Sequence, residues 1–143
     1  MSTWAYARDW AWRFVLALIA TTTLVGQATT DDLIITSPAE GAIITVPAGQ
    51  VETTVTVKFT ISYDSPFYSY TDFRGQYSYQ APDGSVFFVV PSTTASYNST
   101  TGEYTMSVTV RKPPTGSTGK ITVKAQDADF GASASDTVHI TVQ

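Results

Sequence analysis

Cysteine is absent from the 143 residues, so no disulfide can staple the fold and no thiolate can act as nucleophile or metal ligand. Charged residues are scarce, at 14%, and acidic ones exceed basic ones for a formal charge of −4. That balance argues against nucleic acid or anionic lipid as the main partner, because Lys and Arg supply most of the attraction to phosphate. Histidine occurs once, at His139, and the three tryptophans, Trp4, Trp10 and Trp12, all lie near the N-terminus. Apolar residues nevertheless make up 43% of the chain, enough to build a core and too many for a disordered tail.

The longest wholly apolar run is Phe14 to Ala20. Arg8 and Arg13 precede it against a single Asp9, and the small residues of Gly26-Gln27-Ala28 follow. This is the layout of a secretory signal peptide over residues 1–28; the alternative is a retained N-terminal helix acting as a membrane anchor. Under either, arginines before the run and Asp31-Asp32 after it place residues 29–143 outside the cytoplasm, extracellular or at the cell surface. Without the leader, six basic residues face eleven acidic ones, a charge of −5.

From Leu33 onward apolar residues recur with period two, and no stretch has helical periodicity. In Val51 to Tyr63, Val51, Val55, Val57, Phe59, Ile61 and Tyr63 share one parity while Glu52, Thr54, Thr56, Lys58 and Thr60 take the other. A strand of this kind buries one face and wets the other. The same alternation turns inward Tyr104, Met106, Val108 and Val110, then Ile121, Val123 and Ala125, then Val138, Ile140 and Val142. Leu33–Thr36 and Ala42–Val46 read as one first strand split by the turn Ser37 to Gly41. The continuous apolar run Ser85 to Val90 predicts burial on both sides, or an edge covered by a loop. Turn chemistry at Pro82-Asp83-Gly84, Asn98 to Gly102, Pro113 to Gly116 and Asp127 to Gly131 separates the strands. Seven or eight antiparallel strands at this spacing predict an all-β, two-sheet sandwich, with a barrel as the weaker option.

The opening Ile35-Thr-Ser-Pro-Ala-Glu-Gly41 and the closing segments Gly119 to Gly131 and Ser135 to Val142 resemble the first strand and last hairpin of bacterial and archaeal immunoglobulin-like modules. The resemblance implies an immunoglobulin-like sandwich of the type found in surface adhesins, S-layer proteins and secreted hydrolases. It carries no active site. Lack of the inter-sheet cystine and core Trp that mark eukaryotic immunoglobulin domains points to a prokaryotic or viral source. An apolar N-terminal helix followed by a β head also resembles archaeal pilins, although the charged leader and processing site of type IV pilins are missing.

Candidate sites are few. Strand parity turns His139 to solvent between Thr137 and Thr141, with no acid or nucleophile placed beside it, and this inventory predicts no enzyme. Asp127 and Asp129, with Asp31, Asp32 or Asp136, could offer oxygens to Ca²⁺; the simpler expectation is that they cap the turn, leaving the protein without a cofactor. Seven aromatic residues crowd Tyr63 to Tyr79. Tyr68 with Tyr70, and Tyr77 with Tyr79, place rings on common faces, either as a contact surface for a sugar or another subunit or as cross-strand core pairs. Asn98-Ser99-Thr100 is an N-glycosylation sequon. These features predict a non-catalytic structural or adhesive module, with a filament or virion subunit and a carbohydrate-binding module as alternatives. Its partners would be protein subunits, including copies of itself, or surface glycans, with membrane contact only through a retained N-terminal helix. Intact-mass measurement of the exported protein should give a chain beginning after Ala28, and a mass starting at Met1 would show that the leader is kept.

Overall fold

A computed structural model describes residues 32–62, 70–127 and 132–143, and every element within them is a strand. In chain order these are β1 (Asp32–Ser37), β2 (Ala42–Ile44), β3 (Glu52–Ser62), β4 (Asp72–Gln80), β5 (Val86–Phe88), β6 (Ala95–Asn98), β7 (Glu103–Arg111), β8 (Thr118–Gln126) and β9 (Ser133–Val142). They form a four-stranded sheet in the order β1-β3-β7-β6 and a five-stranded sheet in the order β2-β9-β8-β4-β5. The leader, Asp31, Tyr63, Tyr68 and Asp129 lie outside the described residues.

The period-two pattern sets the core. Val57, Phe59, Val110, Ile121, Val123 and Ala125 are completely buried, Met106 and Val108 nearly so, and Val138, Ile140 and Val142 close the layer from β9. Burying each such aliphatic or aromatic side chain is worth about 1.5–3 kcal/mol. Tyr104 is half-buried and stacks on Phe59 with ring centroids 5.2 Å apart. Val51 departs from the pattern and is 68% exposed. Pairing of β3 with β7 ends at Glu52 and Arg111; Val51 lies just beyond, where its carbonyl still accepts the Lys112 N–H at 3.0 Å but its side chain faces solvent.

The first strand is split as expected, but its two halves join different sheets. β1 pairs antiparallel with β3, whereas β2 pairs parallel with β9, a correction to a wholly antiparallel sandwich. The chain changes sheet between Ser37 and Ala42, where Gly41 has a φ of 78° and donates its N–H to the His139 carbonyl at 2.8 Å. Only glycine adopts that left-handed backbone without strain. Beside the crossing, Asp136 points inward from β9 and its Oδ2 accepts the Ile35 N–H of edge strand β1 at 2.9 Å.

Of the two expectations for Ser85 to Val90, burial on both sides is corrected and the edge position is found. β5 is the outermost strand of its sheet, and Val86, Phe88 and Val90 are 50%, 60% and 83% exposed; within the run only Val89 is buried. Beyond β5 the chain bulges and rejoins β4 where Gly75 and Ser92 exchange both backbone hydrogen bonds at 2.9 Å, then crosses to β6 in the other sheet. Sheet-to-sheet crossings therefore bound the sandwich on both flanks.

Two glycines mark close approaches between packed side chains and backbone. A Cβ on Gly75 would strike Met106 Sδ and lie 2.9 Å from Val108 Cγ2, and a Cβ on Gly119 would strike the Tyr77 hydroxyl and lie 2.8 Å from its ring. Met106, Val108 and the Tyr77 ring are all sealed in the core. Gly119→Ala and Gly75→Ala should therefore each cost about 1–3 kcal/mol through overpacking, as read from urea unfolding midpoints.

Candidate functional site

The aromatic segment divides once β4 is placed. Tyr77 is completely buried and Tyr70 is 6% exposed. These two rings are part of the core, which corrects the contact-surface alternative for both. Register decides this, because Tyr77 lies opposite Ile121, itself sealed in the core. Tyr79 is half-buried and stacks on Phe87 of β5 at 5.2 Å.

The remaining predicted residues disperse. Asp127 is 3% exposed at the end of β8, with its N–H donated to the Ala132 carbonyl. Asp32 is exposed at the start of β1. Both oxygens of Asp136 serve backbone N–H groups, those of Ile35 and Thr137. Among the described residues no group of three or more His, Asp or Glu side chains could hold a metal ion. Asn98 is exposed at the end of β6, where its Oδ1 accepts the Thr100 N–H at 2.9 Å and shapes the turn. His139 is exposed on β9, and Glu40 binds both its Nδ1 at 2.9 Å and its N–H at 3.0 Å. The His139 backbone N–H is the main reason that the Glu40 carboxyl is held below its usual pKa.

Structure draws attention instead to the flank bounded by β5 and β6. β6 runs beside Glu103 to Met106 only, so Ser107 to Arg111 of β7 has no further strand beside it among the described residues. A groove of about 400 Å³ opens there, lined by Phe87 to Ser92 on one side and by Ser107, Thr109 and Arg111 on the other. Arg111 closes one end: its guanidinium contacts Glu52 at 2.7 Å and lies 4.8 Å from the centre of the Phe87 ring. Phe87 is thus held between Tyr79 and Arg111, coupling the edge of one sheet to the other. The sequence marked the apolar run here but not its exposure, which depends on β5 being an edge.

No protein-family model matches this chain, and no curated protein matches it.

The buried Tyr77 hydroxyl has no hydrogen-bond partner among the described residues, and desolvation pushes its pKa up to about 12. In the unfolded chain a tyrosine ionises near 10, so between those values the unfolded state releases a proton that the folded state keeps. Stability should fall with rising pH across that window. Tyr77→Phe should remove this part of the alkaline destabilisation and, by deleting an unsatisfied hydroxyl, leave neutral-pH stability equal or up to about 1 kcal/mol higher. Chemical denaturation at neutral and alkaline pH measures both effects.

Proposed function

We propose that this chain is a non-catalytic, exported, immunoglobulin-like module, structural or adhesive, that acts through its surfaces. The observation that carries the fold assignment is strand order. β1-β3-β7-β6 corresponds to the A-B-E-D sheet of immunoglobulin domains, and β9-β8-β4-β5 to G-F-C with a further C′ strand on its edge. The first strand, divided between the sheets, supports the same assignment. Where an immunoglobulin domain carries its cystine between the second and sixth of its seven strands, β3 and β8 here contribute Val57, Phe59, Ile121 and Val123 to one sealed layer. Localisation rests on the leader and on the charge pattern that flanks it. In this reading His139 is a solvated strand residue tied to Glu40, and the groove beside β7 is a place for contact rather than chemistry.

A second reading, a subunit of a larger assembly, is favoured by the β5 edge. An edge strand normally discourages pairing with charge, proline or burial. From Ser85 to Val90 there is no charged residue, and Val86 and Phe88 stand exposed on one side of β5. A second copy could pair its own β5 antiparallel to this one about a two-fold axis, joining two five-stranded sheets and packing Phe88 and Val86 across the join.

Light scattering on the purified chain should show a concentration-dependent dimer that Phe88→Lys abolishes. Because Phe88 is an exposed edge residue, that substitution should change stability by no more than about 0.5 kcal/mol. A strictly monomeric wild-type protein would remove the second reading and leave the first standing.

A further inference from the structure

The two solvent-facing sides of the sandwich treat their cations differently. On the four-stranded sheet Lys58 lies 3.9 Å from Glu103, and Arg111 is paired with Glu52. On the five-stranded sheet the register sets Arg74 directly across from Lys124, Gln76 across from Thr122, and Ser78 across from Lys120. β9 extends these rows with Ser135, Thr137 and His139. Neither Arg74, Lys120 nor Lys124 has a carboxylate within ion-pair distance among the described residues.

Common reasons for surface cations do not account for these three. Among the described residues they form no ion pairs, and like charges directly opposite each other, as in Arg74 and Lys124, destabilise a sheet. They do not guard an edge, since β8 is the middle strand of its sheet and β4 is interior. Nor do they build net charge for solubility, because the chain is acidic and each cation reduces its charge of −4.

We propose that the outer face of β4, β8 and β9 binds an acidic polysaccharide, with its carboxylate or sulfate groups seated at the Arg74–Lys124 pair and at Lys120. This deepens, and rests on, the reading of the protein as an exported adhesive module. Two hollows lie on the face, one of about 270 Å³ among Arg74, Gln76, Thr122 and Lys124, the other of about 140 Å³ at Ser78, Lys120 and His139. Lys120 and Lys124 are four residues apart on one strand, hence roughly 14 Å, so a ligand reaching both must be extended and carry more than one anionic group, as an acidic polysaccharide does.

Between the cations lie groups suited to sugar hydroxyls. Gln76 donates its Nε2 to the Val89 carbonyl at 2.8 Å, which fixes its amide and leaves Oε1 as an acceptor. The Thr122 and Thr137 hydroxyls share a hydrogen bond of 3.0 Å. Phe88, opposite Ser78, supplies an exposed ring at the margin for the apolar face of a sugar. Asp72, opposite Gln126, and Glu40, on His139, stand at the two ends of the strip and limit where an anionic chain can lie. Three cations on an acidic protein are too few to favour a nucleic acid, whose affinity scales with the number of phosphates neutralised.

Titration calorimetry of the full chain with polygalacturonate, with dextran sulfate, with neutral dextran and with a single-stranded oligonucleotide tests the site. The expected result is binding to one or both acidic polysaccharides that weakens with salt and is absent for neutral dextran; which polymer binds separates carboxylate from sulfate recognition. The double variant Arg74→Gln/Lys124→Gln should lose about tenfold in affinity with an unchanged or slightly raised melting temperature, whereas Lys58→Gln on the opposite sheet should bind as wild type. Failure of both acidic polymers to bind, equal binding by the double variant, or tighter binding of the oligonucleotide would overturn the proposal. If the exported protein fails to bind, this site falls alone; finding the native chain in the cytoplasm would overturn the reading on which it rests.

Discussion

Two sheets with no covalent link hold together here because the layer between them is sealed and almost wholly apolar. Phe59, Tyr77, Ile121 and Val123 sit in it without exposure. Phe73 and Tyr104 tilt against one another with ring centroids 5.2 Å apart on its margin. Everything else in the structure depends on that contact, since hairpins and crossings alone gain too little to fix one sheet over the other. Where the layer must thin, glycine is found. Gly75 and Gly119 leave room for Met106 and for the Tyr77 ring respectively, and a methyl group at either place would intrude on a neighbour.

Local alternation makes much of this legible in the sequence. The inward residues of β3, β7, β8 and β9 follow from parity, because a strand with one buried face writes that burial into every second residue. What escaped was decided by residues far away in sequence. Parallel pairing of β2 with β9 joins Ala42 to Ile140, and nothing near Ala42 announces it. β6, four residues with a single apolar residue facing the core cluster, carries too little pattern to be seen. Tyrosine suits both core and wet surface, so the placement of Tyr77 required knowing that Ile121 lies opposite. Composition left the run Val86 to Val90 open between an interior strand and a covered edge, and its position at the end of the strand order decides for an exposed edge.

The candidate surfaces were less legible than the core for the same reason. Arg74 and Lys124 are fifty positions apart, and only the antiparallel register of β4 with β8 makes them neighbours. Glu40 reaches His139 through the crossing that follows β1, a contact that local spacing does not contain. A sandwich of this kind keeps its chemistry on faces assembled from several strands, so the informative unit is a row across the sheet rather than a motif along the chain.

The inward carboxylate of Asp136 has a consequence for how such molecules can join. By occupying the Ile35 amide it blunts one margin of the sandwich against strand addition, while the margin carrying Phe88 is left unblunted. Two copies joined along the border that carries Phe88 would be related by a two-fold rotation, an arrangement that closes after one encounter. Open-ended growth would need a second, different border to receive the first.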